Sequence, residues 1–367
     1  MIIGLIVLGI LLCLIVFVIL YLRQPKFGKR PSGAELARMK ASPNYRHGQF
    51  QNRSHTPALT EGVSYYSVFK EFFFRDRKNA KPHGVIPSKK TDLLNLDPDK
   101  DIFVWFGHSS YFMQVDGRKI LVDPVMSGTA SPLAFTTRAV KGTDPYTTDD
   151  IPVIDYLFIS HDHWDHLDYT TLKKLKPKIK KIICGLGVGL HLRYWGFHEN
   201  IIIEKDWNET VLLEQGYVVH TVTARHFSGR TFKRNPSLWL SYVLQTPHYK
   251  IFLGGDSGYD THFAEAGKLF GPFDLAILEN GQYDKSWKYI HMTPAEVLQA
   301  AKELKAKRLM PVHSAKFLLG NHDWDEPLKT ITALHKDNYF LLLTPMIGEE
   351  VDLKTDRYSF SQWWQGL

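Results

Sequence analysis

The sequence predicts an α/β fold in which two sheets pack face to face with helices outside, preceded by one apolar helix. Three observations carry that expectation. Two batches of short, antiparallel-looking strands occur, around residues 102–123 and 217–253, each followed by helical segments. The first 22 residues hold no charged side chain. Between the batches, Ile159-Ser160-His161-Asp162-His163-Trp164-Asp165-His166-Leu167-Asp168 crowds histidines and aspartates onto the end of a strand.

Taken in order, residues 1–22 are long enough as a helix to span the roughly 30 Å core of a bilayer. A cleavable signal peptide would carry a positive n-region, a shorter apolar stretch and small residues at a cleavage site, and none is evident. Arg23, Lys26, Lys29, Arg30, Arg38 and Lys40 follow, against the single acid Glu35. The positive-inside rule then predicts a single-pass membrane protein with its body in the cytoplasm. Of the formal net charge of +7, only +2 belongs to residues 41–367, which hold 39 bases and 37 acids. A near-neutral body argues against nucleic acid as a partner. The basic stem favours anionic lipid headgroups. Hydrophobic content of 44% suffices for a core and excludes a disordered chain. Two cysteines, Cys13 and Cys184, cannot build a disulfide framework and are compatible with a reducing compartment.

Residues 23–60 lack a hydrophobic period and read as a basic linker or loosely ordered arm. Within 61–100, Tyr65, Val68, Phe69, Phe72 and Phe73 recur at helical spacing among Lys70, Glu71, Arg75, Arg77 and Lys78, which predicts a short amphipathic helix. Its aromatic face either packs on the body or meets an interface. The body, 101–367, opens with strands at 102–106, 111–115 and 119–123, the last two joined by an Asp116-Gly117 turn. The β-branched and aromatic run 153–159 is a buried strand, and 169–175 a short helix. Further strands are expected at 217–223, 238–245, 250–253, 275–278 and 309–312. Helices are expected at 264–269 and at 294–305, the latter with Thr293 as N-cap before Pro294.

The histidine-rich stretch therefore lies on a strand-to-helix turn, where neighbouring side chains need not share a face and can serve two metals. Three more candidate ligands each follow an apolar strand: His226, Asp256 and His313. Asp123 ends the Lys-Ile-Leu-Val-Asp strand and is either a partner for a ligand histidine or simply a strand-terminating turn before Pro124.

Together, His161-Asp162-His163-Trp164-Asp165-His166, His226, Asp256 and His313 resemble the signature of the metallo-β-lactamase superfamily, over about residues 100–345. The resemblance implies an αββα sandwich of two mixed sheets. It also implies that His161, His163 and His226 hold one divalent ion and Asp165, His166 and His313 a second, with Asp256 bridging both. Two such ions roughly 3.5–4 Å apart lower the pKa of a shared water and act as Lewis acids. Asp165 would orient the resulting hydroxide. Histidine and carboxylate without cysteine suit Zn²⁺, and iron or manganese could use the same set.

Outside the ligands, Val104-Trp105-Phe106-Gly107-His108-Ser109-Ser110, Gly255-Asp256-Ser257-Gly258-Tyr259, Phe270-Gly271-Pro272-Phe273-Asp274 and His291-Met292-Thr293-Pro294 resemble the branch of phospholipases D that hydrolyse N-acylphosphatidylethanolamine. That branch implies a phosphodiesterase acting on a membrane phospholipid. Ile290 stands where the branch commonly has Gln, and residues 227–232 differ in detail, so the hydrolytic class is better supported than the lipid. The alternative is a lactonase or other carbonyl hydrolase acting on a soluble, sugar-phosphate-like substrate; a non-catalytic tethered binding protein conflicts with the complete ligand set. His291 has two readings: proton donor or phosphoryl-binding group, or cap of the helix beginning near Pro294. His108 either hydrogen-bonds near the metals or packs beneath them. The sequence leaves the oligomeric state open.

Overall fold

A computed structural model describes residues 2–74 and 79–367. Helix α1 (Ile2–Leu22) buries none of its side chains and, among the described residues, is the one helix long and apolar enough to cross a membrane. Helix α2 (Gly33–Lys40), a small hairpin of β1 (Tyr45–Arg46) and β2 (Gln49–Phe50), and helix α3 (Tyr65–Phe74) follow.

The stretch expected to be a loose linker is instead docked on the body. Phe27, Met39 and Phe50 are buried, and the last two join the core between the sheets. Single apolar anchors this far apart leave no period in the sequence, which is why the polar composition concealed them. Helix α3 forms where its spacing predicts, yet Tyr65, Tyr66, Phe69 and Phe74 stay exposed. Arg75, Arg77, Lys78 and the side chains of Phe72 and Phe73 lie outside the described residues.

The first sheet is made of β3 (Ile102–Trp105), β4 (Tyr111–Val115), β5 (Arg118–Val122), β6 (Ile154–Ile159), β7 (Ile179–Gly185) and β8 (Ile202–Lys205). Strands β3 to β5 run antiparallel, and β5 to β8 are parallel. Helices α4 (Tyr169–Leu175) and α5 (Val188–Tyr194) lie in its crossovers. The second sheet contains β9 (Thr210–Leu212), β10 (Val218–Val222), β11 (Ser241–Gln245), β12 (Lys250–Leu253), β13 (Leu275–Glu279), β14 (Arg308–Val312) and β15 (Leu341–Leu342). It is antiparallel to β12 and parallel beyond, with α6 (His262–Leu269), α7 (Pro294–Glu303) and α8 (Glu326–Leu334) between its later strands. The last strand, β16 (Glu350–Asp352), returns to pair with β3.

Alternation along the strands assigns the layers. Phe103, Trp105, Ile120, Val122, Tyr156 and Phe158 point inward and meet Val219, Tyr242, Leu244, Leu253, Ile277 and Met310 from the other sheet. Their neighbours Ile102, Val104, Leu121, Leu157 and Ile159 point outward onto Leu172 of α4 and Val188 and Leu192 of α5. On the far side, Val243, Phe252, Ala276 and Leu309 pack under Phe263, Val297, Ala301 and Ile331 of the covering helices. The fold is thus a four-layer αββα sandwich with mixed sheets, as expected. Phe158 sits in the middle layer, so Phe158→Ala should cost about 3–5 kcal/mol in denaturant unfolding, while exposed Phe232→Ala should cost under about 0.5 kcal/mol.

Candidate metal centre

The candidate side chains other than His291 leave the ends of strands at one edge of the sandwich. His161, His163, Asp165 and His166 follow β6, His226 follows β10, Asp256 follows β12, and His313 follows β14; His108 and Asp123 follow β3 and β5. His108, Asp123 and His313 have φ of 53°, 41° and 67°, left-handed values that L-residues adopt at a cost and that turn these side chains toward the centre. Gly255 also has positive φ, and a Cβ there would fall 2.7 Å from the Ser160 Cβ, so glycine lets the Asp256 loop press against the histidine-rich loop.

Three nitrogens form one group: His163 Nδ1 lies 2.8 Å from His161 Nε2 and 3.3 Å from His226 Nε2. Asp165 Oδ2 lies 3.4 Å from His166 Nε2 and 3.3 Å from His313 Nε2, forming a second. Asp256 Oδ2 stands between the groups, 3.2 Å from both His166 Nε2 and His313 Nε2 and 3.7 Å from His226 Nε2. The seven residues singled out from the sequence lie together at this edge, with His108 beside Asp165, His166 and His313, and with His161 also close to His166 and Asp256.

A model of the beta-lactamase superfamily domain matches residues 118–314, more than half of the chain. The chain belongs to the metallo-β-lactamase superfamily. It is similar to an uncharacterized protein of Mycobacterium tuberculosis, 34% identical over 91% of each chain. It is also similar to N-acyl-phosphatidylethanolamine-hydrolyzing phospholipase D 1 of Caenorhabditis elegans, 28% identical over 60% of this chain and 65% of that one. Among solved structures, Igni18, a metallo hydrolase of Ignicoccus hospitalis, superposes with a TM-score of 0.53 and 19% identity, covering 69% of this chain and 97% of the other. The chain is a metal-dependent hydrolase.

The electrostatics fit the superfamily's divalent metal. Burial holds His161 and His226 well below the ordinary imidazole range and His163 at about 4, so their ring lone pairs stay free. For His166 and His313 burial opposes the charge, but the carboxylates, Asp256 foremost, outweigh it, raising His166 well above its usual value and His313 to about 10. Two buried carboxylates thus demand positive charge, which a dication supplies. His166 Nε2 and Asp256 Oδ1 are buried without any hydrogen-bond partner, as metal-facing atoms would be.

A ring of supporting residues fixes these imidazoles. Asp123 Oδ2 lies 2.8 Å from His166 Nδ1, while its carboxylate accepts from Ser160 N at 2.8 Å and Ser160 Oγ at 2.5 Å, so Asp123 does more than end a strand. His226 Nδ1 donates to the Ile290 carbonyl at 2.9 Å, which turns Nε2 inward and uses only the backbone of the residue that departs from the branch pattern. His108 Nε2 lies 2.9 Å from Asp165 Oδ2 with its ring 4.2 Å from that of His313. His291 does not cap α7: Glu296 accepts from Thr293 N at 2.8 Å at that helix start. Instead, His291 faces the cleft, its Nδ1 3.0 Å from Glu279 Oε2.

Glu279 was not singled out from the sequence. It is fully buried at the end of β13, accepts from Met292 N at 2.8 Å and lies 3.3 Å from His313 Nδ1. The signal was present: Leu-Ala-Ile-Leu-Glu is an apolar strand ending in a carboxylate, the same pattern that precedes the candidate ligands. The centre floors a cleft of ≈ 320 Å³ walled by Ala58, Leu59, Tyr65, Phe227, Trp287 and Ile290, with Arg234 also in its lining.

Proposed function

We propose that this protein is a binuclear phosphodiesterase of phospholipase D type acting on N-acylated phosphatidylethanolamine or a related membrane phospholipid. His161, His163 and His226 would hold one ion, Asp165, His166 and His313 the other, and Asp256 both, with Zn²⁺ the best match to the nitrogen and oxygen donors. The observation that carries the reading is the cleft: seven converging metal-type donors lie under mostly apolar and aromatic walls that, among the described residues, bear Arg234, a site suited to an acyl chain and a phosphate together. Likeness to the nematode phospholipase supports it.

Bound divalent ions supply Lewis acidity and lower the pKa of water. The chain's own residues do the rest. Asp165 orients the attacking water, and His108 holds Asp165 in place. His291, its Nδ1 turned to Glu279, presents Nε2 to the leaving oxygen for proton donation. Arg234, whose guanidinium lies over the Phe227 ring at 3.8 Å, is placed to meet the phosphoryl group.

The membrane is the natural setting of such a substrate, and α1 with the basic stem would be the anchor. Tyr21 Oη and Lys26 Nζ donate to the Pro132 carbonyl at 2.7 and 2.8 Å, so the exposed Leu133 and Phe135 lie beside the exit of α1. The bases after α1 favour a cytoplasmic body by the positive-inside rule. A reporter fused after Leu367 should accordingly lack alkaline-phosphatase activity of the kind acquired only on export; an active one reverses the orientation.

The direct test incubates detergent-solubilised protein and Zn²⁺ with phospholipids, N-acylated phospholipids and lactones, and identifies the products by mass. Phosphatidic acid and an N-acylethanolamine are expected; opened lactone with untouched phospholipid would favour the carbonyl hydrolase. Removing residues 2–22 while keeping the docked stem should slow hydrolysis of vesicles, since the anchor that concentrates the enzyme at the membrane is lost and the retained bases contribute only about 1 kcal/mol each near an anionic surface. The same deletion should spare a short-chain soluble phosphodiester, because every candidate ligand remains.

A further inference from the structure

We infer that the membrane-proximal stem, residues 25–29, is a fixed part of the metal centre's scaffold, joined to it by Arg230 as a positioning residue. The inference rests on the metal reading above and is independent of the substrate. Arg230 lies four positions after His226 and is buried. Its Nη1 donates to the carbonyls of Asp162 and Leu167, both at 2.8 Å, bracketing the turn that carries His163, Asp165 and His166. Its Nε and Nη2 donate to the Lys26 carbonyl at 3.0 and 2.9 Å. One guanidinium thus ties both ends of the metal turn to the chain emerging from α1.

Other contacts run across the same junction. Phe27 packs edge-on against Trp164, in the metal turn itself, with ring centroids 5.2 Å apart, and Arg230 lies over the Trp164 ring at 4.0 Å. Trp195 Nε1 donates to the Pro25 carbonyl at 2.8 Å. Lys29 N donates to His191 Nδ1 at 3.0 Å, and the far nitrogen of that ring faces Asp162 Oδ2 at 3.3 Å. Asp162 Oδ1 accepts from Gly229 N at 2.6 Å, closing the circuit back to Arg230. Asp162 therefore works outside the candidate ligand set, as the link between the metal turn and the stem.

The energetics favour a rigid junction over a tether. Without the stem, a buried guanidinium would lose the acceptor of two of its donors, and a buried charge left short of partners is costly. The planar fork meets three carbonyls in fixed directions, which an ammonium cannot reproduce. A substitution on the stem side should therefore loosen the metal turn although it touches no candidate ligand.

The test uses the full-length protein in detergent, loaded with Zn²⁺, and follows Zn²⁺ release to a chromophoric chelator together with the unfolding temperature of the metal-free protein. Arg230→Gln should speed release by about 10–100-fold, the range expected when a residue supporting metal ligands is lost, and Arg230→Lys should recover part of the difference. Phe27→Ala and Trp195→Phe, each of which removes a contact across the junction and leaves every candidate ligand in place, should also speed release, by about threefold or more, with the metal-free unfolding temperature within a few degrees of the parent. These two decide the matter if Arg230→Gln does not fold. Release at the parent rate from both Phe27→Ala and Trp195→Phe overturns the inference. A parent protein that takes up no Zn²⁺ overturns the metal reading and the inference with it.

Discussion

Asp256→Ala is expected to abolish hydrolysis and lower bound metal while leaving the circular dichroism spectrum largely intact. The argument is positional. Asp256 Oδ2 is within 3.2 Å of His166 and His313 and 3.7 Å of His226, so on the proposed arrangement its loss would remove a candidate ligand from both groups. Losing several kcal/mol of charge stabilisation in the transition state corresponds to at least about a thousandfold in rate. His163→Ala, which touches only the first group, should lose activity with a smaller loss of metal. Metal analysis and a rate assay on the same preparations check this, and an Asp256→Ala protein with normal metal content and full activity would sink the two-metal account.

His291→Ala should behave differently: kcat falls by about 10²–10⁴, the usual contribution of a positioned proton donor, while metal content stays near two ions per chain. Its Nδ1 faces Glu279 and its ring lies 5.1 Å from those of His226 and His313, so it lines the cleft beside the metal groups. Glu279→Gln keeps the shape but removes the carboxylate that orients His291 and approaches His313, and should give a smaller fall in kcat with some loss of metal. A His291→Ala enzyme with unchanged kcat would remove this residue from the reaction.

The centre was legible because its residues follow one rule: an apolar strand ends and a histidine or aspartate comes next. That rule found His226, Asp256 and His313 from short local patterns, and the inner strands β4, β6 and β12 from their β-branched and aromatic composition. Glu279 obeys the same rule as the last residue of β13, but its role beside Met292, His291 and His313 is visible only in the folded state, where those distant parts of the chain meet it. The edge strands β8, β9, β15 and β16 escaped because they are short and half-exposed, so tertiary pairing alone defines them. The stem was read as loose for a different reason. Pro25 and Lys26 meet Trp195 and Arg230 through backbone carbonyls, which no side-chain pattern announces.

The central claim is that water attacks phosphorus in a phospholipid at this centre. Hydrolysis of N-acylphosphatidylethanolamine by the metal-loaded protein in ¹⁸O-labelled water tests it most directly, with the products resolved by mass. The account predicts one ¹⁸O atom in the phosphatidic acid and none in the N-acylethanolamine. Label in a released fatty acid would mean attack on a carbonyl carbon, and it would contradict the account, as would intact phospholipid after incubation with a protein holding two ions per chain.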